Sequence, residues 1–251
     1  MRTLNRVLRL LLANWPFIAL LVGWDLWVVL NGFTVTVAPR PWAVLATFAD
    51  TPTTYAAPLL WTALDAVVGL AGGILAGLAA AFLVHLWRST AGLVTPVALL
   101  LRSVPLTALI PIVAAVVGYG NGAATIATVI VCFFPAFAFT LSGLGSVPVP
   151  QRDVLSVLGA GRLTRLRLLD LPSALPSVAV ALRLSTPIAV GGALLAEMLV
   201  GTHGLGRLFV DLRSYNQVEQ TWGTALLGTA LAVAAFAVSR RVEHAVLARF
   251  H

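Results

Sequence analysis

Leu59 to Leu86 reads LLWTALDAVVGLAGGILAGLAAAFLVHL, with Asp65 its single carboxylate and His85 its single histidine. A helix that crosses a hydrocarbon core of about 30 Å needs about 20 mostly apolar residues at about 1.5 Å each. This stretch exceeds that length, and it lacks the polar face that recurs every 3.6 residues on a helix of a water-soluble domain. Gly69, Gly73 and Gly77, continued by Ala81, place small residues on one stripe, so a neighbouring helix can approach closely.

Five further stretches meet the same length requirement: Leu10 to Leu30, Leu93 to Val117, Ala123 to Leu141, Ala174 to Val200 and Thr221 to Val238. The composition agrees, since 59% of the 251 residues are hydrophobic and 10% charged, against roughly 25% charged in a globular domain. The predicted fold is all-α, a polytopic membrane bundle of about six transmembrane helices forming one domain over residues 1–251. In the third stretch Pro105 and Pro111 lack backbone donors, which predicts a bend or break and makes this helix a candidate to line a pathway. Asn31 to Pro58, with Pro39, Pro41, Pro52 and Pro58, is expected to be an irregular or partly helical outer connection.

All sixteen basic residues are arginine. Without lysine the chain has no P-loop lysine and no Schiff-base chemistry of its own, and the single Cys132 excludes an internal disulfide. Short cytoplasmic loops carry the positive excess. With the N-terminus inside, eleven arginines are cytoplasmic: Arg2, Arg6, Arg9, Arg88, Arg152, Arg162, Arg165, Arg167, Arg240, Arg241 and Arg249. Arg40, Arg207 and Arg213 fall outside, and Arg102 and Arg183 within helices. Both termini are thus expected inside, and the first apolar run is expected to be a retained helix rather than a cleaved leader.

Gly143 to Ser173 is a cytoplasmic loop far longer than a helix-to-helix turn requires. Val154, Leu155, Val157 and Leu158 form an apolar stripe at helical spacing. Pro148 and Pro150 suit the helix start, Asp153 is expected in its first turn, and Gly159 stops it. The residues alone leave two readings, a helix lying on anionic lipid or a knob docking into a groove on a cytoplasmic partner.

This loop resembles the "EAA" loop of the membrane subunits of bacterial ABC importers, whose pattern is E-A-A, three residues, G, nine residues, I-x-L-P. Asp153-Val154-Leu155 takes the place of the triplet, Gly159 the glycine, and Leu169-Asp170-Leu171-Pro172 the end, at the same spacing. Ala38-Pro39-Arg40-Pro41, the run Leu101 to Pro111, Phe134-Pro135, and Ala196-Glu197-Met198 followed by Gly204-Leu205-Gly206 resemble permeases of the nitrate, sulfonate, taurine and bicarbonate type. The likeness covers roughly Pro39 to Arg213. It implies a multi-pass permease of the bacterial cytoplasmic (inner) membrane, paired with a second copy. Two ABC ATPase subunits would hold ATP and magnesium, and an extracytoplasmic substrate-binding protein would deliver the solute. Asp153, Val154, Leu155, Leu158, Gly159, Ala160 and Arg162 would then form the ATPase-coupling helix. On this reading the chain is not an enzyme and carries no cofactor, metal or nucleic acid. Its departure, Asp-Val-Leu for Glu-Ala-Ala, keeps a carboxylate and adds bulk.

Intramembrane charge is costly, so each such residue is expected to be paired or cavity-facing. Arg102 and Arg183 each lie about ten residues past the inner start of their helix, roughly 15 Å deep on straight helices, and with Pro105 and Glu197 they are the candidate substrate-pathway residues. A structural role, snorkelling or binding carbonyls, competes for both arginines. Glu197 suits holding the Gly201 to Gly206 loop by accepting backbone donors. Asp25 is expected to pair with a neighbouring helix, and Asp65 to lie near the outer surface. His85, His203, His244 and His251 lack the close spacing of a metal site and are expected to be solvated or interfacial.

The resemblance implies import of a small solute such as a sulfonate, taurine, nitrate or a similar oxyanion, with a neutral vitamin precursor such as a pyrimidine as the alternative. An ion-coupled secondary transporter is a further alternative, which predicts an internal repeat and has no use for a displayed cytoplasmic helix. An intramembrane enzyme ranks last, because no paired acids, HExxH motif or serine-base arrangement is recognisable.

Overall fold

The computed structural model describes the backbone of residues 2–249 and the side chains of residues 15–16 and 18–249. Every regular element among them is helical. The helices are α1 (Arg2–Leu30), α2 (Pro41–Asp50), α3 (Pro52–Leu86), α4 (Ala91–Ser103), α5 (Leu106–Val117), α6 (Asn121–Gly145), α7 (Val149–Val157), α8 (Arg162–Arg165), α9 (Leu171–Val200), α10 (Leu205–Ser214) and α11 (Val218–Leu247). A short 3-10 turn (Arg88–Thr90) precedes α4, and a π-helical turn (Leu166–Asp170) joins α8 to α9.

Among the described residues four segments are long and apolar enough to cross a membrane: α3, α6, α11 and the continuous run Arg162–Val200 that ends in α9. The expected third span is not one straight helix. Arg88–Ser103 and Leu106–Val117 are bent 110° apart, because Pro105 has no N–H to continue the ladder and disfavours helical geometry at Val104, which is extended at ψ 125. The apolar part of α1 with described side chains is Ile18–Leu30; the first part of the expected span, from Leu10, lies outside the described side chains, as do Arg2, Arg6 and Arg9.

The direction of each crossing follows from the packing. A Cβ built on Gly69 would overlap Thr128, one on Gly73 would overlap Cys132, and one on Gly77 would overlap Ala136. Both numbers rise together, so α3 and α6 run parallel, backbone to backbone along the small-residue stripe. The chain must therefore return across the membrane between them, and the broken pair α4–α5 makes that return. By contrast Gly143 meets Ala174 and Ser177 while Gly192 meets Val131, so α9 runs antiparallel to α6. The core lies along these three helices in layers: Ala81, Val84, Phe137, Leu144 and Ala174 at the inner end, Cys132, Ala189 and Ala193 at mid-depth, and Ile110, Ala124, Ala127 and Ala196 at the outer end.

The outer connection is more ordered than its prolines predict. Pro41 and Pro52 each start a helix, where a missing N–H costs nothing, and α3 runs on through Pro58. Trp24 of α1 stacks on Trp222 of α11 with ring centroids 5.3 Å apart.

Candidate functional site

At the inner end, α7 stands clear of the bundle. Pro148 precedes it, and Gly159 at φ +73 ends it, with Ala160 N–H donating to the Leu155 carbonyl and Gly159 N–H to the Ser156 carbonyl. This is a Schellman stop, and only a residue tolerant of left-handed backbone closes it without strain. Val154, Val157 and Leu158 are 59%, 87% and 74% exposed, an apolar patch that nothing among the described residues covers. Asp153 is the fifth residue of α7 and lies beyond its first turn, contrary to expectation, because the helix already begins at Val149.

Leu155 is half-buried, and Arg162 opens α8 three residues after Gly159. Leu166 is buried in the inner core, and two polar contacts also tie the loop to the bundle. Arg152 donates to the Leu144 carbonyl at 3.1 Å, and the buried Asp170 meets His85 of α3 at 3.0 Å.

At the outer end, polar side chains from α3, α6, α9 and the loop before α10 converge, with Thr62, Asp65 and Glu197 buried among them. The Glu197 carboxylate accepts the Gly206 backbone N–H at 2.8 Å and the Thr62 hydroxyl at 2.7 Å. Thr62 in turn accepts the Leu205 N–H at 2.8 Å. Gly204, at φ +97, leaves room for the carboxylate where a Cβ would collide with it. Beside this node, Asp65 accepts from Asn121 at 2.9 Å and from Thr125 at 3.1 Å. The other oxygen-bearing end of Asn121 accepts the Thr202 N–H and hydroxyl, both at 2.8 Å. His203 lies 2.8 Å from Asn121 and packs on Trp61 with ring centroids 4.4 Å apart. The 201–206 loop is thus pinned to α3, α6 and α9 at once. Sequence reading missed Thr62, Asn121, Thr125 and His203; the one available signal was that each polar residue interrupts or borders an apolar run.

The break between α4 and α5 opens a cavity of about 870 Å³, walled by residues that include Arg102, Pro105, Leu106, Val131, Phe134 and Ile188. The Arg102 guanidinium sits 4.9 Å from the Phe134 ring centroid, a cation–π contact that leaves its forked donors open. Because α4 is bent away from α5, the straight-helix depth does not apply to Arg102. Arg183 is not a wall of this cavity. It faces the other way, 3.0 Å from Glu243 on α11. Glu197 belongs to the outer node rather than to the cavity. Asp25 pairs not with another helix but with Arg40 of the following loop, through two bonds of 2.9 Å, and this carboxylate raises the arginine's pKa above its usual value. His85 and His203 are bound within the protein rather than free, and His251 lies outside the described residues.

The family model described as binding-protein-dependent transport system inner membrane component matches residues 73–250. A protein of Haemophilus influenzae named as an ABC transporter permease is 29% identical over 216 residues, 83% of this chain and 85% of that protein. The formylaminopyrimidine transport permease protein ThiX of Halalkalibacterium halodurans is 27% identical over 180 residues, 72% of each chain. A Bacillus subtilis protein named for aliphatic sulfonates transport, permease SsuC, is 27% identical over 216 residues, 80% of this chain and 75% of that one. Among solved structures, an inward-facing MetNI methionine ABC transporter matches with a TM-score of 0.63 and 22% identity, over 75% of this chain and 94% of that chain. At that identity the likeness is one of fold.

Proposed function

The chain belongs to the family of binding-protein-dependent transport system inner membrane components, and from that membership we propose how this ABC importer permease subunit works. In the bacterial cytoplasmic membrane it pairs with a second copy, carries two ATPase subunits on its inner face, and receives a small oxyanion from an extracytoplasmic binding protein. With no lysine the chain has no P-loop of its own, and this reading gives ATP and magnesium to the partner ATPase and leaves the permease non-catalytic.

The observation that carries this reading is α7. A nine-residue helix that exposes Val154, Val157 and Leu158, closed by a left-handed glycine and tied to α3 and α6 through Asp170 and Arg152, has the form of a knob for an apolar groove. Its rigid attachment lets closure of the ATPases push on the bundle. The residues of this contact are Asp153, Val154, Leu155, Leu158, Gly159, Ala160 and Arg162. Co-purification of the ATPase with tagged permease tests it: Leu158→Glu and Gly159→Pro are expected to lose the ATPase while the permease stays inserted. Normal co-purification with both variants would remove the assignment.

An oxyanion, such as a sulfonate, taurine or nitrate, is favoured by Arg102, whose guanidinium is open to the cavity at the α4–α5 break. Arg102 and Pro105 are the proposed pathway residues. Arg183 and Glu197 act in the frame around it, Arg183 through its ion pair with Glu243 and Glu197 by accepting the Gly206 N–H. A neutral vitamin precursor is the second reading, favoured by the similarity to ThiX and by the apolar walls around Arg102. A thermal-shift screen of the cognate binding protein separates the two: stabilisation by a pyrimidine and by no sulfonate or oxyanion would overturn the first. The ion-coupled alternative requires uptake by this polypeptide without an ATPase.

A further inference from the structure

Behind α7, on the side away from its exposed apolar patch, lies a second cavity of about 440 Å³. Its polar walls come from three places: His85, Trp87 and Arg88 at the end of α3, Arg152 on α7, and Arg162 and Arg165 on α8, with Asp170 at its base. Four guanidinium groups thus face one carboxylate. That carboxylate is already engaged, by His85 at 3.0 Å and by Arg152 at 3.9 Å. Arg165 donates to Ser156 at 3.2 Å. Among the described residues no acidic group lies within ion-pair distance of Arg88 or Arg162, which stand exposed at the rim.

We infer that this cavity is a binding site for a phosphate group. Clustered like charges are relieved by an anion that accepts from several at once, and the guanidinium fork matches phosphate oxygens in pairs. The place also fits: Trp87, 55% exposed, stands at the end of a spanning helix, where indoles mark the headgroup level and basic pockets between helices take anionic headgroups. Val154, Val157 and Leu158 are not among the walls, so the site and the ATPase-facing patch occupy opposite sides of α7. A phosphate held here bridges α3 to the loop that bears α7. The inference shares with the proposed function the inward orientation of this loop and one residue, Arg162, which stands where the two surfaces meet.

Native mass spectrometry of the full-length permease, purified without the ATPase in a neutral detergent, tests it in two arms. One arm titrates phosphatidylglycerol against phosphatidylcholine; the other titrates inorganic phosphate and reads its competition with the lipid and its effect on thermal stability. Phosphatidylglycerol is expected to bind roughly ten-fold more tightly than phosphatidylcholine. The variant Arg88→Gln/Arg162→Gln is expected to lose most of that preference, while Arg240→Gln/Arg241→Gln, which removes the same charge elsewhere on the inner face, keeps it. Saturable stabilisation by inorganic phosphate, lost in the first variant only, supports the site with free phosphate as its source. Arg88→Gln alone, on an exposed turn, guards against misfolding of the double variant. Equal lipid and phosphate binding by wild type and both cavity variants would overturn the site, as would equal losses in the Arg240/Arg241 control. Loss of ATPase association in the Arg88/Arg162 variant, with lipid and phosphate binding unchanged, would overturn it by assigning the arginines to the ATPase. Failure of the coupling-helix test leaves this result independent.

Discussion

Thr62 on α3 and Glu197 on α9 are 135 residues apart in the chain and meet at 2.7 Å, both fully buried. The hydroxyl donates to the carboxylate and accepts the Leu205 N–H, so one side chain closes α3, α9 and the start of α10 into a single node. Thr62→Val keeps the branched shape but orphans that N–H and one carboxylate contact, a loss of about 1–3 kcal/mol. The thermal midpoint of the purified permease is expected to fall and proteolysis within residues 201–206 to quicken. Thr62→Ser is expected to keep wild-type behaviour, and a valine variant as stable as wild type would show that the node does not hold the loop.

The seam between α3 and α6 has no room for a side chain at Gly73, where a Cβ would overlap Cys132 and the Val129 carbonyl. Gly73→Val is expected to cost about 1–3 kcal/mol or more by overpacking, seen as a loss of the monodisperse peak in fluorescence-detected gel filtration. Gly191→Ala, whose Cβ meets nothing within 4 Å, serves as the control on α9 and is expected to leave the profile unchanged.

Removing one partner of a buried ion pair strands the other. Glu243 has 5% of its side chain exposed and Arg183 has 32%, so Glu243→Gln is expected to cost roughly 1–2 kcal/mol, below the full cost for a wholly buried pair. The double variant Arg183→Leu/Glu243→Leu is expected to recover most of it. Losses from Arg183→Leu and Glu243→Leu singly that simply add in the double variant would contradict a pairwise interaction.

In reconstituted vesicles with the binding protein and ATPase, Arg102→Gln is expected to lower oxyanion uptake about ten-fold, the size of one lost charged hydrogen bond. ATPase association is expected to stay intact, and Arg102→Lys to retain part of the uptake. Unchanged uptake in the glutamine variant would place the solute elsewhere.

The small residues at 69, 73, 77 and 81 make the α3–α6 seam legible, because close approach demands an absence of side chain and that absence has a period. Pro105 makes the break legible for a similar reason: a missing donor cannot be repaired locally. The extent of the bend was not, since 110° depends on what α4 and α5 pack against. The outer node was only half legible. A carboxylate near Gly204 and Gly206 points to backbone donors, whereas Thr62, Asn121 and Thr125 are ordinary polar residues whose meeting depends on the register of three separate helices. Arg183 carries no local mark of Glu243, which lies 60 positions on in a helix expected to end by Val238. Asp153 lies one turn deeper than its expected place because the helix starts at Val149, between the two prolines, with Pro148 as its cap.

The return crossing between the parallel α3 and α6 bears on how the protein is made. Its two pieces have 13 and 12 residues, about 20 Å each by the helical rise, and neither alone spans a core of about 30 Å. Both pieces pack chiefly on α6, so the third crossing is expected to settle fully only after the fourth has followed it into the membrane.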